Sequence, residues 1–169
     1  MPSLVALDWN AFLFAAAQEV LETMFFTSVY GISQGSATGK VLFSTLRFKG
    51  YPSGIVTIGL SEETVRPMAA NFLGLEVDEL TLNQLEQVCS ELANMVCGNV
   101  LSRTAADRTF RLTHPQTTQK MVSSDAIAVN FGSIIVNLDV ENGVFTSQID
   151  FDSASHDQHE ENSKLNAIV

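Results

Sequence analysis

Basic residues are scarce in this sequence, and their scarcity excludes one large class of partners. The chain has 9 Lys and Arg against 19 Asp and Glu, which gives a formal net charge of −10. Proteins hold the phosphates of nucleic acids mainly with Lys and Arg side chains. A nucleic-acid partner is therefore not expected.

Long apolar runs and paired cysteines are also missing. No run approaches the roughly 18 apolar residues of a membrane-spanning helix, and the N-terminus lacks the basic region of a secretory signal peptide. The chain has two cysteines, Cys89 and Cys97. In a helix they would lie about 12 Å apart along the axis, too far for a disulfide. We therefore expect buried free thiols in a cytoplasmic protein that does not enter a membrane.

The common catalytic and metal-binding motifs are missing as well. There is no Cys-x-x-Cys, no Walker-type phosphate loop, no His-Glu-x-x-His and no accompanying Ser-His-Asp set. The spacing of His156 and His159 would suit weak metal binding, but a polar tail is the simpler interpretation. The sequence therefore predicts no metal site and no cofactor of the chain's own.

The sequence does contain enough apolar material for one folded domain. Hydrophobic residues make up 46% and charged residues 17% of the 169 residues, which is typical of a globular protein. Residues 1–151 are predicted to form this single domain. Residues 152–169 are polar and acidic, so we expect a disordered or loosely held tail there.

Residues 78–104 are predicted to form a long amphipathic helix around which the rest of the chain is organised. Apolar side chains recur there at steps of three and four and define one buried stripe. These are Leu82, Leu85, Val88, Cys89, Leu92, Met95 and Val96. Either Asp78 or Thr81 can cap the start of the helix. The opposite face carries Glu91 and Asn94, whose Cβ atoms would lie about 5–6 Å apart.

Gln87 and Gly98 extend this exposed face by one turn on either side. An alanine would favour a helix by roughly 1 kcal/mol over a glycine, so Gly98 indicates that something approaches the helix surface closely. Without a nucleophile or a metal cluster, an amide and a carboxylate can only position other groups. The alternative interpretation is a solvated helix face with no function.

The remaining segments predict an α+β fold. Asp8 would cap a first helix over residues 9–27. Ser61 would begin a second helix, which has Pro67 near its start and ends at Gly74. The predicted strands cover residues 40–50, 55–60, 109–114, 124–131, 133–140 and 144–151, and the predicted loops include residues 32–39 and 116–120. We expect about three helices packed on a largely antiparallel sheet of about six strands.

The last two predicted strands should form a hairpin. They flank Asn142 and Gly143. An Asn-Gly pair between alternating strands is the strongest short-range hairpin signal, because both residues tolerate a positive φ. The pairing of these two strands is therefore predicted to be antiparallel.

One pattern in the long helix is similar to a known family. The residues Glu91-x-x-Asn94-Met95-x-x-Gly98-Asn99 resemble the signature helix of the CheC/CheX/FliY family of chemotaxis response-regulator phosphatases. The CheX form of that helix is the most similar. The resemblance implies the same α+β fold that the segments predict.

The likeness extends beyond this helix, to about residues 5–151. Residues 18–26, residues 53–63 and Pro115 are also similar to their CheX counterparts. One position departs from the pattern, since Gln87 stands where many members carry Asp or Ser. Glutamine keeps the hydrogen-bonding capacity of Asp or Ser but removes the negative charge that an Asp would carry. The exchange therefore affects partner affinity more than the chemistry.

The resemblance implies a phosphatase that acts on the aspartyl phosphate of a CheY-like response regulator, in chemotaxis or a related two-component pathway. Asn94 would hold the attacking water in line with phosphorus, and Glu91 would bind the regulator's lysine. The regulator would bring its own Mg²⁺. The residues implied to contact the partner are Gln87, Met95, Gly98 and Pro115.

The resemblance also implies a homodimer formed by extension of the sheet across two chains. The alternative function is a non-catalytic CheX-like module that binds a regulator or a signalling scaffold without hydrolysis. Gln87 and the acidic tail are the features that favour this alternative. A flagellar-switch component is a third possibility, which the missing flanking domains make less favoured. Asn99 lies toward the helix end and is expected to be structural.

Overall fold

The computed structural model describes residues 7–104, 109–124 and 132–153. Over these ranges the chain forms the predicted α+β fold, in which three helices lie on a seven-stranded antiparallel sheet, one strand more than expected. The elements are α1 (Trp9–Met24), β1 (Val29–Ile32), β2 (Gly39–Lys49), β3 (Gly54–Ser61), α2 (Glu62–Leu73), α3 (Leu82–Ser102), β4 (Arg111–Leu112), β5 (Gln116–Val122), β6 (Ile134–Val140) and β7 (Gly143–Phe151). Among the described residues, no helix combines the length and apolar character needed to cross a bilayer.

The sheet has its helices on one face. The strand order is β1-β6-β7-β3-β2-β4, and β5 pairs with β2 along the same outer edge as β4. Side chains alternate along β2: Leu42, Leu46 and Phe48 are fully buried or nearly so, whereas Thr45 and Arg47 on the other face are only half-buried. The core therefore lies between one face of the sheet and the helices, with α3 packed over β2 and β3.

A capping box defines the start of α3. The Thr81 hydroxyl accepts from the Gln84 backbone N–H at 3.3 Å, and the Gln84 side chain accepts from the Thr81 backbone N–H at 2.9 Å. Thr81 is therefore the cap, and Asp78 lies in a 3₁₀ turn before it. The predicted buried stripe is confirmed at five of its seven residues. Leu82 is 45% exposed in the first turn, and Met95 is only half-buried.

Both cysteines lie on the buried side of α3 as free thiols, as predicted. Burial raises the pKa of the Cys97 thiol to about 12. Burial and, secondarily, the Glu86 carboxylate raise the pKa of Cys89 to about 12. Neither thiol is available as a nucleophile near neutral pH.

The other two helices begin where their capping residues predicted, with two corrections further along. The first is that α1 ends at Met24, three residues before its predicted end. Asp8 accepts from the Ala11 backbone N–H at 3.0 Å and caps α1. Ser61 caps α2, and Gly74 ends it with a left-handed φ of 67°. Pro67 lies inside α2 rather than near its start, so the helix continues past a residue that lacks a backbone N–H.

The edge strands differ from the sequence predictions. Residues 116–120 were expected to be a loop, but they belong to β5, which pairs with β2 from Gln116 opposite Thr45 onward. Most β5 side chains are exposed, so their polarity reflects an edge position rather than a loop. The strand predicted over residues 109–114 is limited to the two residues of β4. The strand predicted over residues 124–131 falls, apart from its first residue, outside the described residues.

The first edge strand, β1, was also missed. Three of its residues lie between the first predicted helix and the loop predicted over residues 32–39, and its last residue, Ile32, lies in that loop. The predicted hairpin is confirmed: β6 and β7 pair from Val140 opposite Gly143, and Asn142 has a φ of 69°. Of the predicted tail, only residues 152 and 153 lie in the described ranges, and Asp152 forms an ion pair with Arg47 at 2.6 Å.

Candidate functional site

The exposed face of α3 borders an open groove of about 940 Å³, which we call the α3 groove. Its facing side is the segment from β4 to the start of β5, and the C-terminal end of α2 closes one part of it. Its lining residues are Phe72, Leu73, Asn83, Glu86, Gln87, Val88, Ser90, Glu91, Asn94, Leu112, Thr113, His114, Pro115, Gln116 and Thr117. The groove thus joins elements that are distant in the sequence.

Four of the six predicted site residues lie in the α3 groove. Gln87, Glu91 and Asn94 are exposed on its helical side, and Pro115 is buried in the facing segment. Within the described chain, no other residue hydrogen-bonds to the side chains of Glu91 and Asn94. Both groups are therefore free to bind a partner.

The other two predicted site residues lie outside the lining of the groove. Met95 is half-buried and packs against the hydrophobic core. Gly98 lies one turn beyond Asn94, and a Cβ added there would meet no heavy atom within 4 Å. The packing of the domain therefore does not require a glycine at this position, and the space above it is open.

The α3 groove is acidic. Glu86 and Glu91 lie on its helical side, and His114 lies on the facing segment. Its lining, as far as the chain is described, contains no Lys or Arg. Carboxylates in a groove without a neighbouring cation attract a cationic group of a partner.

Asn99, the last residue of the sequence motif, belongs to a structural cluster. Its side-chain amide donates to Glu19 of α1 at 3.2 Å, and its oxygen accepts from Arg103 at 2.7 Å. Arg103 also forms an ion pair with Glu19. The cluster connects the C-terminal part of α3 to α1, which agrees with the structural role expected for Asn99.

Several residues of the groove were not predicted from the sequence. Ser90 precedes Asn94 by one helical turn and could have been placed on the same face from its spacing alone. Gln116 and Thr117 were missed because residues 116–120 were wrongly predicted to be a loop rather than a strand beside α3. Leu73 and Leu112 gave no signal, because only the tertiary structure brings the end of α2 and β4 to the groove.

The groups in the α3 groove limit its chemistry. Within the described ranges, no three His, Cys, Asp or Glu side chains are close enough together to hold a metal ion. A free amide can orient a water by hydrogen bonding, and a free carboxylate can bind an ammonium group. The site is therefore suited to positioning groups that another molecule supplies.

Comparison with known protein families shows the family to which the chain belongs. The family model described as "Chemotaxis phosphatase CheX" matches residues 42–134, which is more than half of the 169-residue chain. The chain belongs to the CheX family. The match includes the whole of α3 and the facing side of the groove. A comparison with curated proteins gives no match.

Solved structures of CheX proteins share the fold. CheX from Vibrio vulnificus matches with a TM-score of 0.69 and 20% identity, over 86% of this chain and 97% of that one. CheX from Desulfovibrio desulfuricans matches with a TM-score of 0.68 and 14% identity, over 86% and 100% of the two chains. A chain in the CheX-CheY-BeF3-Mg+2 complex from Borrelia burgdorferi matches with a TM-score of 0.61 and 20% identity, over 85% and 97%.

Proposed function

We propose that this CheX-family protein hydrolyses the aspartyl phosphate of a CheY-like response regulator in the cytoplasm. The observation that carries the proposal is the pair of Glu91 and Asn94, exposed and unpaired within the described chain, at the edge of an acidic groove on α3. The complex from Borrelia burgdorferi contains both CheX and CheY, which supports a CheY-like partner.

In the proposed mechanism Asn94 acts on a water molecule. Its amide holds the water in line with phosphorus once α3 has docked on the regulator. The water oxygen bonds to phosphorus as the bond from phosphorus to the aspartate oxygen breaks, and the products are inorganic phosphate and a free carboxylate. Phosphoryl transfer depends mainly on positioning and charge stabilisation, so one well-placed amide is enough for a large effect.

The charge of the groove suggests the role of Glu91. In the proposed complex its carboxylate binds the lysine of the regulator's active site. The regulator supplies this cation and its own Mg²⁺, which fits the lack of Lys and Arg in the groove lining described above. In the proposed complex Glu91 therefore anchors the docked helix, and Asn94 positions the attacking water.

The test compares Asn94→Ala with Asn83→Ala, which removes the same side chain from the same helix and the same groove. If Asn94 contributes about 3–4 kcal/mol, as single preorganised polar groups do, stimulated hydrolysis falls several hundredfold in Asn94→Ala. Asn83→Ala should keep most of the activity. Phosphate release from a phosphorylated regulator measures both, and undiminished turnover by Asn94→Ala contradicts the proposal.

A second comparison, of regulator affinity and of turnover at saturation, distinguishes the role of Glu91 from that of Asn94. Glu91→Gln should raise the Kd for the phosphorylated regulator by about tenfold or more, because a charge-assisted hydrogen bond is lost, while turnover of the saturated complex changes less. Glu63→Gln, an exposed acid on α2 outside the α3 groove, is the matched control. Equal affinities of Glu91→Gln and the parent protein would refute the anchoring role.

A non-catalytic regulator-binding module is the second candidate function. It is favoured by Gln87, which is exposed in the groove and has no charge, at the one position where the sequence departs from the CheX pattern that it resembles. A regulator that co-purifies with the protein but keeps its phosphate would support this function. The phosphate-release assay thus decides between the two candidates.

We further infer that the protein forms a homodimer by extension of its sheet at β1. In the described part of the chain, β1 pairs with β6 alone and leaves its other edge free. Tyr30 and Ile32 on this strand are 71% and 68% exposed, and Phe26 just before it is also exposed. An apolar edge strand of this kind is suited to pairing with a second copy.

A further inference from the structure

Three hydroxyl groups form a hydrogen-bonded chain from the α3 groove into the core. Ser90 Oγ on α3 lies 2.8 Å from Thr117 Oγ1 on β5. Thr117 Oγ1 in turn donates to Ser44 Oγ on β2 at 3.0 Å. Because the Thr117 hydroxyl has a single hydrogen, Ser90 is the donor in the first bond. We call these three residues the hydroxyl chain.

The hydroxyl chain links the two sides of the groove at the level of the proposed catalytic pair. Ser90 directly precedes Glu91 and lies one turn before Asn94 on the same helix face. Thr117 is two residues beyond Pro115 on the facing segment, and both Ser90 and Thr117 line the groove. The bond between Ser90 and Thr117 therefore joins α3 directly to the facing segment at this level.

The inner end of the hydroxyl chain is fixed by burial. Ser44 is 0% exposed and lies opposite Thr117 in the register of β2 and β5. A buried hydroxyl without a hydrogen-bond partner costs about 1–3 kcal/mol, so Ser44 holds Thr117 in one orientation. Thr117 is therefore a rigid acceptor for Ser90 rather than a mobile surface side chain.

The hydroxyl chain adds a directional contact to the apolar packing of α3. The buried stripe of α3 attaches the helix to the sheet through non-directional contacts, which tolerate a small rotation about the helix axis. A hydrogen bond of 2.8 Å is directional and weakens steeply when its angle changes. The Asn99 cluster supplies directional contacts only at the C-terminal part of α3. The bond from Ser90 to Thr117 supplies one beside Asn94, and it therefore favours one rotation of α3 and one direction of the Asn94 side chain.

We propose that Ser90 and Thr117 are positioning residues, whose hydroxyl–hydroxyl bond holds α3 at the rotation that lets Asn94 place the attacking water. This inference rests on the proposed phosphatase function. A misplacement of about 1 Å in a catalytic group can cost about 100-fold in rate. Docking, in contrast, depends on the wider groove and tolerates such a change.

The test uses Thr117→Val, which keeps the shape of the side chain and removes its hydroxyl. We expect kcat for the phosphorylated regulator to fall by about 10–100-fold, with KM changed by less than about threefold. Thr117→Ser should restore most of the rate, because it restores the hydroxyl. Ser90→Ala should lower kcat in the same way, because it also removes the bond between Ser90 and Thr117. Thr117→Val removes the bond to Ser44 as well, so the double variant should lose little more than Thr117→Val alone.

Thr118→Val is the matched control, because Thr118 is exposed on the opposite face of β5, next to Phe43 in the register. It should leave kcat unchanged. Circular dichroism and the thermal midpoint establish that each variant is folded. A Thr117→Val protein as active as Thr118→Val overturns the inference while the parent remains active. A loss of rate that Thr117→Ser does not restore, or that appears in KM alone, also overturns it. An inactive parent protein that binds the regulator refutes the proposed function instead.

Discussion

At the scale of single residues, the side chains of Glu91 and Asn94 lie on one exposed face of α3, three residues apart, where a partner can reach both. Their spacing predicted this exposure. Met95 shows the limit of this reasoning. It was assigned both to the buried stripe and to the partner surface, and the structure packs it against the core. Burial at the border of an amphipathic face depends on what packs beside it, which a repeat pattern does not specify.

Gly98 permits a prediction that separates folding from docking. Its Cβ position is open, so Gly98→Ala should stabilise the domain by roughly 1 kcal/mol through helix propensity and raise its thermal midpoint. If the regulator approaches α3 closely there, the added methyl group should also weaken regulator binding. Thermal unfolding and titration with a phosphorylated regulator measure the two effects. Greater stability with unchanged affinity would place Gly98 outside the partner surface.

At the scale of elements, the helices were predicted well because their signals are local. Asp8, Ser61 and Thr81 cap the helices through hydrogen bonds to residues three positions away. The edge strands were predicted poorly because their signals are not local. β5 is polar and pairs with β2, which lies more than 70 residues earlier. Only that pairing makes it a strand.

The edge strand β1 supports a prediction about assembly. Light scattering or sedimentation should give the mass of a dimer for the parent protein, and Ile32→Lys should give a monomer, because it places a charge in an apolar interface. Met121→Lys is the matched control, since Met121 is 74% exposed on β5 at the opposite edge of the sheet. It should remain dimeric. A monomeric parent, or dissociation by Met121→Lys alone, would contradict the β1 interface.

At the scale of the whole molecule, the two buried cysteines on α3 allow the stability of the core to be measured. Burial raises the pKa of both thiols to about 12 in the folded protein, compared with 9.0 for an exposed thiol. As pH rises, the unfolded chain loses these protons first, so the unfolded state binds fewer protons than the folded state. The free energy of unfolding should therefore decrease as pH rises from about 9 toward 12.

The thiols should also resist alkylation near pH 8 until the domain unfolds, because burial keeps them protonated and inaccessible. Mass spectrometry after exposure to iodoacetamide, with and without denaturant, measures this. The native protein should remain unmodified, and the denatured protein should gain two adducts. Rapid labelling of the native protein would show that the core opens locally around α3.

The sequence by itself determined the three helices, the caps at Asp8 and Ser61, the hairpin at Asn142 and the motif that indicated the family. Each of these depends on residues that are close along the chain, where spacing and turn chemistry act directly. The tertiary structure decided the edge strands, the α3 groove and the hydroxyl chain. These depend on register between distant segments, as between Thr117 and Ser44. The stability of such a pairing comes from burial and hydrogen bonds that exist only after the chain has folded.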